Sequence, residues 1–279
     1  MPKSNSLRRN PLFVFGPPVA LVSLGLSLIF QPGSFGSNQH QIILDRIEER
    51  AQSGWVVPTP EFTDYLYPRM TLDMAGHQWV LLNKSRPLNP IDFAPENLRA
   101  MTSSTSLDNS RELRLNVHAA TALEEMAAAM FADGAGQMFV NSAYRTYDYQ
   151  GELFEQKIDQ YGEEEALLRS ARAGYSEHQT GLAVDVSVPA QGCAIMQCFG
   201  DTDGGIWIAE NAWRFGYIVR YEEGTSEITG FTYEPWHLRF IGKSLAEMYH
   251  ESGMNTLEDF WGFPPAPTYP SEITPSTSN

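Results

Sequence analysis

Basic side chains are scarce in this chain. Its 279 residues carry 19 lysines and arginines against 34 acids, for a formal net charge of −15. Phosphate binding needs a basic face, so no nucleic-acid partner is expected. Cysteine is nearly absent, with only Cys193 and Cys198. Two thiols cannot supply the four ligands of a structural zinc site. In an exported chain, their close spacing predicts a local disulfide instead, with two free thiols as the other reading. No repeat at a fixed period is visible, which excludes solenoid and propeller architectures. A regular βαβ alternation is missing as well, which argues against a parallel, doubly wound sheet.

The one long apolar run lies at the start. Lys3, Arg8 and Arg9 precede Leu12 to Phe30, a stretch interrupted by Gly16, Pro17 and Pro18. From Val19 to Phe30 there is no charge, a length that suits a signal-peptide core, whereas the count from Leu12 approaches the about 20 residues of a bilayer span. Residues 1–37 therefore read as a signal peptide or an N-terminal membrane anchor. Either one exports the remainder, and an uncleaved anchor would leave the basic end inside and the domain outside, on the extracellular face of the membrane. Residues 38–77 read as a linker with a short helix at Gln41 to Ala51, followed by Pro58, Pro60 and Pro68.

Residues 78–263 carry the pattern of a folded domain, and 42% of the whole chain is apolar. Trp79 to Leu82 reads as a strand, and Leu113 to Ala132 as a helix ended by Asp133-Gly134. A strand is predicted at Gln137 to Ala143, then helices at Asp148 to Tyr161 and Glu163 to Arg172. Strands at Leu182 to Val188 and Tyr217 to Tyr221 flank a helix at Ile206 to Phe215. An interrupted strand from Phe231 to Phe240 and a helix from Lys243 to Ser252 complete the set. Helices come early and strands late. The pattern predicts an α+β fold with a small antiparallel sheet flanked by helices. The segment 264–279, rich in proline, serine and threonine, is expected to be disordered.

Two segments carry the chemistry. The first is Ser176-Glu177-His178-Gln179-Thr180-Gly181-Leu182-Ala183-Val184-Asp185, and the second Tyr233-Glu234-Pro235-Trp236-His237. A catalytic zinc ion takes three protein ligands and keeps one position open. His178, Asp185 and His237 supply such a set, with Gly181 allowing the turn between the first two. Asp185 sits in an apolar strand, where a carboxylate needs a compensating partner such as a cation. On a regular strand Glu234 and His237 would face opposite ways, but Pro235 prevents a regular ladder and permits a bulge. Glu234 suits a general base better than a ligand. Taken singly, either histidine could be an ordinary hydrogen-bonded core residue. His40, His77, His118 and His250 lack a comparable carboxylate pattern.

The pattern Ser-x-His-x-x-Gly-x-Ala-x-Asp followed by Glu-x-Trp-His resembles the VanY-type D-alanyl-D-alanine carboxypeptidases, zinc enzymes that include L,D-carboxypeptidases. The resemblance runs from about Trp79 to Gly242. It includes Val80 to Lys84 with Pro87 to Pro90, Ser142 to Thr146, and Trp213 to Tyr217. It implies that His178, Asp185 and His237 bind Zn2+ in a cleft on the sheet and that Glu234 is the catalytic base. It further implies that Arg145 holds a substrate carbonyl or carboxylate, and that Ser176 and Gln150 contact the substrate terminus. On chemistry alone, Arg145 could equally form a surface ion pair, and Ser176 and Gln150 could cap a turn or a helix. The implied partner is a peptidoglycan stem peptide, cleaved at its C-terminal D-amino acid. The alternatives are an L,D-carboxypeptidase acting on tetrapeptide stems and a non-catalytic wall-binding module of the same fold.

Overall fold

The computed structural model describes residues 72–270. The expected N-terminal segment 1–37 and the helix at 41–51 lie outside the described residues. Among the described residues no helix is long and apolar enough to cross a membrane.

Among the described residues, seven strands appear in chain order. They are β1 (Leu98–Ala100), β2 (Leu107–Asp108), β3 (Arg114–Asn116), β4 (Met138–Ser142), β5 (Ala183–Ser187), β6 (Tyr217–Tyr221) and β7 (Glu234–Phe240). The helices that matter for the site are α1 (Val117–Ala132), α2 (Tyr147–Tyr161), α3 (Glu163–Arg169), α4 (Asp203–Asn211), α5 (Ser226–Thr229), α6 (Lys243–Ser252) and α7 (Leu257–Trp261). β1 and β3 form a small antiparallel pair, while the main sheet has the order β2-β4-β5-β7-β6. Its pairs are antiparallel except β2 with β4, which run parallel at one edge. The small antiparallel sheet with flanking helices is therefore present, with that one parallel pair added.

Alternation along the strands separates the two faces of the sheet. Val140, Val184, Val186, Tyr217, Val219, Leu238 and Phe240 join one apolar cluster with α1, which contributes Leu123, Met126 and Met130. All three of those helix residues are fully buried, and burying a side chain of that size stabilises by about 1.5–3 kcal/mol. The opposite face carries Asp185, Arg220, His237 and Arg239, all buried. A second apolar cluster, with Trp79, Leu81, Ile218 and Leu245, lies beyond them.

Two expectations are corrected. Residues 113–116 do not begin the long helix. β3 occupies Arg114–Asn116, and the Asn116 side chain accepts a hydrogen bond from His118 N–H, which starts α1 one turn later. Trp79 to Leu82 is buried but is not a strand. The carbonyls of Val80 and Leu82 accept from the Arg239 and Arg220 side chains, so no neighbouring strand is needed. Of the segment 264–279, residues 271–279 lie outside the described residues. Leu72 is buried in the second cluster, and Ala266 is buried as well. Ala266 N–H donates to Ile228 O, and Tyr269 accepts from Arg172 N–H while its ring meets Tyr175 edge-on. An aromatic anchor thus orders a stretch whose composition reads as disordered. Cys193 and Cys198 form the local disulfide.

Candidate active site

Asp185 and His237 are direct partners across β5 and β7, which fixes their side chains on one face at adjacent positions. His178 arrives from outside the sheet, on a 3-10 turn spanning Glu177–Thr180. Gly181 closes that turn at φ +72°, where a Cβ would come within 2.6 Å of the Leu98 side chain, so glycine is required there. The turn sets His178 beside the strand end. Glu234 opens β7 opposite Tyr221, and the register between β6 and β7 is irregular there. The bulge accommodates Pro235 and brings Glu234 to the histidine side, with its Oε2 4.0 Å from His237 Nδ1.

Three atoms converge. His178 Nε2 lies 3.2 Å from His237 Nδ1 and 3.2 Å from Asp185 Oδ1, and His237 Nδ1 lies 3.0 Å from the same oxygen. Ligands placed about 2.0–2.1 Å from a tetrahedral zinc ion stand about 3.3 Å apart, so the spacing fits that ion. The outer ring nitrogens decide what the inner ones can be. His178 Nδ1 is 2.7 Å from the Ala143 carbonyl, which only accepts, so Nδ1 carries the proton. His237 Nε2 is 3.2 Å from Glu177 Oε2, a carboxylate oxygen that likewise only accepts, so Nε2 carries the proton and donates it in a hydrogen bond. In the neutral rings both inner nitrogens are then lone pairs aimed at a carboxylate oxygen. Three acceptors facing one another need a cation among them, and these residues could hold a metal ion.

The electrostatics agree. Burial lowers the pKa of His237, but its hydrogen bonds with Asp185 and Glu177 outweigh that and push it up to about 9. Burial lowers His178 to about 4, aided by the Arg145 charge. Burial would raise Asp185, yet the two histidines hold it well below the usual carboxylate range. Glu234 behaves oppositely. Burial pushes it up to about 8, with Asp185 and Glu177 adding to the rise against His237 and Arg145. A carboxyl of that affinity can take and return a proton near neutral pH.

Arg145 and Gln150 complete the cluster. Arg145 donates from Nη1 to Gln150 Oε1 at 3.0 Å and from Nη2 to Asp185 Oδ2 at 3.5 Å. Its Nε is buried and, among the described residues, has no hydrogen-bond partner. Gln150, fully buried in the first turn of α2, is aimed by its own donations to Ala171 O and Ser170 Oγ. Asp185, Glu234 and Arg145 keep 11–14% of their side-chain surface, while the two histidines keep at most 5%. The group therefore opens to solvent on the carboxylate and guanidinium side. Ser176 stays apart. It is buried at the head of the His178 turn, and among the described residues its hydroxyl reaches none of the other six.

Sequence reasoning missed Glu177, Arg220 and Arg239. Glu177 Oε1 accepts from Arg239 Nη1 at 2.7 Å and from Arg220 Nε at 3.0 Å. Burial would raise the Glu177 carboxyl, but Arg239 and Arg220 hold it well below its ordinary value. The signal was present as a charged residue in each of two apolar strands, and such a residue needs a partner.

The family described as VanY, D-alanyl-D-alanine carboxypeptidase, matches residues 112–243. YodJ of Bacillus subtilis (strain 168) is 36% identical over 182 residues, covering 65% of this chain and 66% of YodJ, just under two thirds of its length. Among solved structures, the LdcB LD-carboxypeptidase superposes with a TM-score of 0.61 at 34% identity, covering 67% of this chain and 86% of LdcB. A vancomycin-resistance D,D-pentapeptidase VanY variant in complex with Zn(II) superposes with a TM-score of 0.54 at 29% identity, covering 65% and 97%.

Proposed function

The chain belongs to the VanY family of D-alanyl-D-alanine carboxypeptidases, zinc metallopeptidases, and from that premise we propose that it removes the C-terminal D-amino acid from peptidoglycan stem peptides. The observation that carries this reading is the triangle of His178 Nε2, Asp185 Oδ1 and His237 Nδ1, with a protonatable carboxyl beside it. His178, Asp185 and His237 are assigned to hold Zn2+. A bound zinc ion supplies Lewis acidity, polarising the scissile carbonyl and making water acidic near neutral pH.

The remaining steps belong to side chains. Glu234 takes the proton of the attacking water and hands it to the leaving amine. Arg145 offers its fork to the carbonyl oxygen or the terminal carboxylate of the peptide. Gln150 holds Arg145 Nη1 and so aims the fork. Ser176 is assigned to the substrate terminus on the family resemblance.

A second reading is removal of the last residue of tetrapeptide stems across an L,D bond, favoured by the likeness to the LdcB LD-carboxypeptidase. A non-catalytic wall-binding module has no need of Glu234. Domain 78–263 is assigned this activity, with 1–37 as the exporting segment or anchor and action outside the cytoplasm. The Cys193–Cys198 disulfide supports an oxidising compartment. Zinc-loaded protein is incubated with pentapeptide and tetrapeptide stems and the products are weighed by mass spectrometry. Loss of one D-alanine from the pentapeptide supports the first reading and loss from the tetrapeptide alone the second. No cleavage of either sinks both.

A further inference from the structure

The two histidines of the site are held by unlike means. His178 leans on a neutral backbone carbonyl, that of Ala143. His237 leans on a full charge, because its Nε2 donates to Glu177 Oε2. Glu177 is fully buried and is itself gripped by two buried arginines. Arg220 continues outward, with Nη1 donating to Glu258 Oε2 at 3.1 Å and Nη2 to Glu258 Oε1 at 2.9 Å. Glu258 lies in α7 and also accepts from Asn83 Nδ2. Arg239 spreads its remaining donors over the carbonyls of Gln78, Val80 and Phe240. Two acids and two arginines balance, and each of the four side chains is at most 1% exposed.

Stability does not explain this cluster. Apolar residues of similar volume in place of a buried ion group commonly leave a protein as stable or more so. Geometry does explain it. A carboxylate on the outer nitrogen of a metal-binding histidine fixes the tautomer, orients the ring and raises its basicity as a ligand.

We propose that Glu177 is a positioning residue, holding His237 by its outer nitrogen so that Nδ1 faces the metal position, with Arg220, Arg239 and Glu258 as the frame that holds Glu177. The inference rests on the reading of His178, Asp185 and His237 as the metal group. The cluster ties that group to α7 and to the segment 78–83.

The test measures zinc affinity by chelator competition and the visible absorption of the cobalt-substituted protein, on the whole chain. Glu177→Gln keeps an oxygen for the His237 N–H and removes the charge. The folded variant is expected to bind zinc about 10–100-fold more weakly, with altered cobalt bands. If the lone charge change prevents folding, Glu177→Gln with Arg239→Gln restores neutrality and carries the same expectation. A folded variant with the parent's zinc affinity and cobalt spectrum overturns the proposal. A His237→Ala protein that keeps the parent's zinc affinity overturns instead the metal reading on which it rests.

Discussion

The two faces of the five-stranded sheet are built from the same strands by opposite rules. On one face Val184, Val186, Leu238 and Phe240 meet α1 with no charge among them. On the other, one residue away along each strand, stand Asp185, His237, Arg239 and Arg220. Period-two alternation makes this possible, since a step of one residue reverses the direction of the side chain. The apolar face contributes burial energy without direction. The charged face contributes little net stability but fixes where each ring and carboxylate points. A rigid apolar floor lets a polar site on the other side hold its geometry.

If that division is right, changes at the site's open carboxylate and guanidinium side alter chemistry and leave the fold, while changes on the apolar face do the reverse. Glu234→Gln tests the first half most severely. It keeps shape but cannot take a proton, so turnover of the stem peptide should fall about 10²–10⁴-fold in steady-state assays with the melting temperature near the parent's. Leu238→Ala tests the second half. Leu238 is fully buried beside α1, so denaturant unfolding should show a loss of about 2–5 kcal/mol, while the folded fraction keeps its zinc. Arg145→Lys keeps the charge and loses the fork that reaches Gln150 and Asp185. Calorimetry should show substrate binding weakened by about 1.5–3 kcal/mol with zinc content unchanged. Asn116→Ala removes the cap of α1, on the apolar side, and should cost about 1 kcal/mol of stability by thermal unfolding with no change in turnover.

Much of this division can be read from sequence. The alternation of Ala183 to Val188 marks one face apolar and the other not, and the place of Asp185 within it marks the site. Gly181 and Pro235 announce the turn and the bulge that bring His178 and Glu234 in. What stays hidden is what the chain joins over long separations. Glu177 finds Arg220 and Arg239 at 43 and 62 positions' distance, and nothing local to Glu177 indicates either. Trp79 to Leu82 misleads because its apolar run looks like a strand, whereas its carbonyls are taken by arginine side chains from β6 and β7. Residues 264–270 mislead because proline-rich composition masks one well-placed anchor, Tyr269.

The central claim is that three side chains on the charged face, His178, Asp185 and His237, hold one zinc ion while Glu234 stands beside it unbound. Metal analysis of purified protein tests it most directly. The account predicts one zinc per chain in the parent and in Glu234→Gln, and almost none in His178→Ala with His237→Ala. Zinc retained by that double variant, or lost from Glu234→Gln, would contradict it.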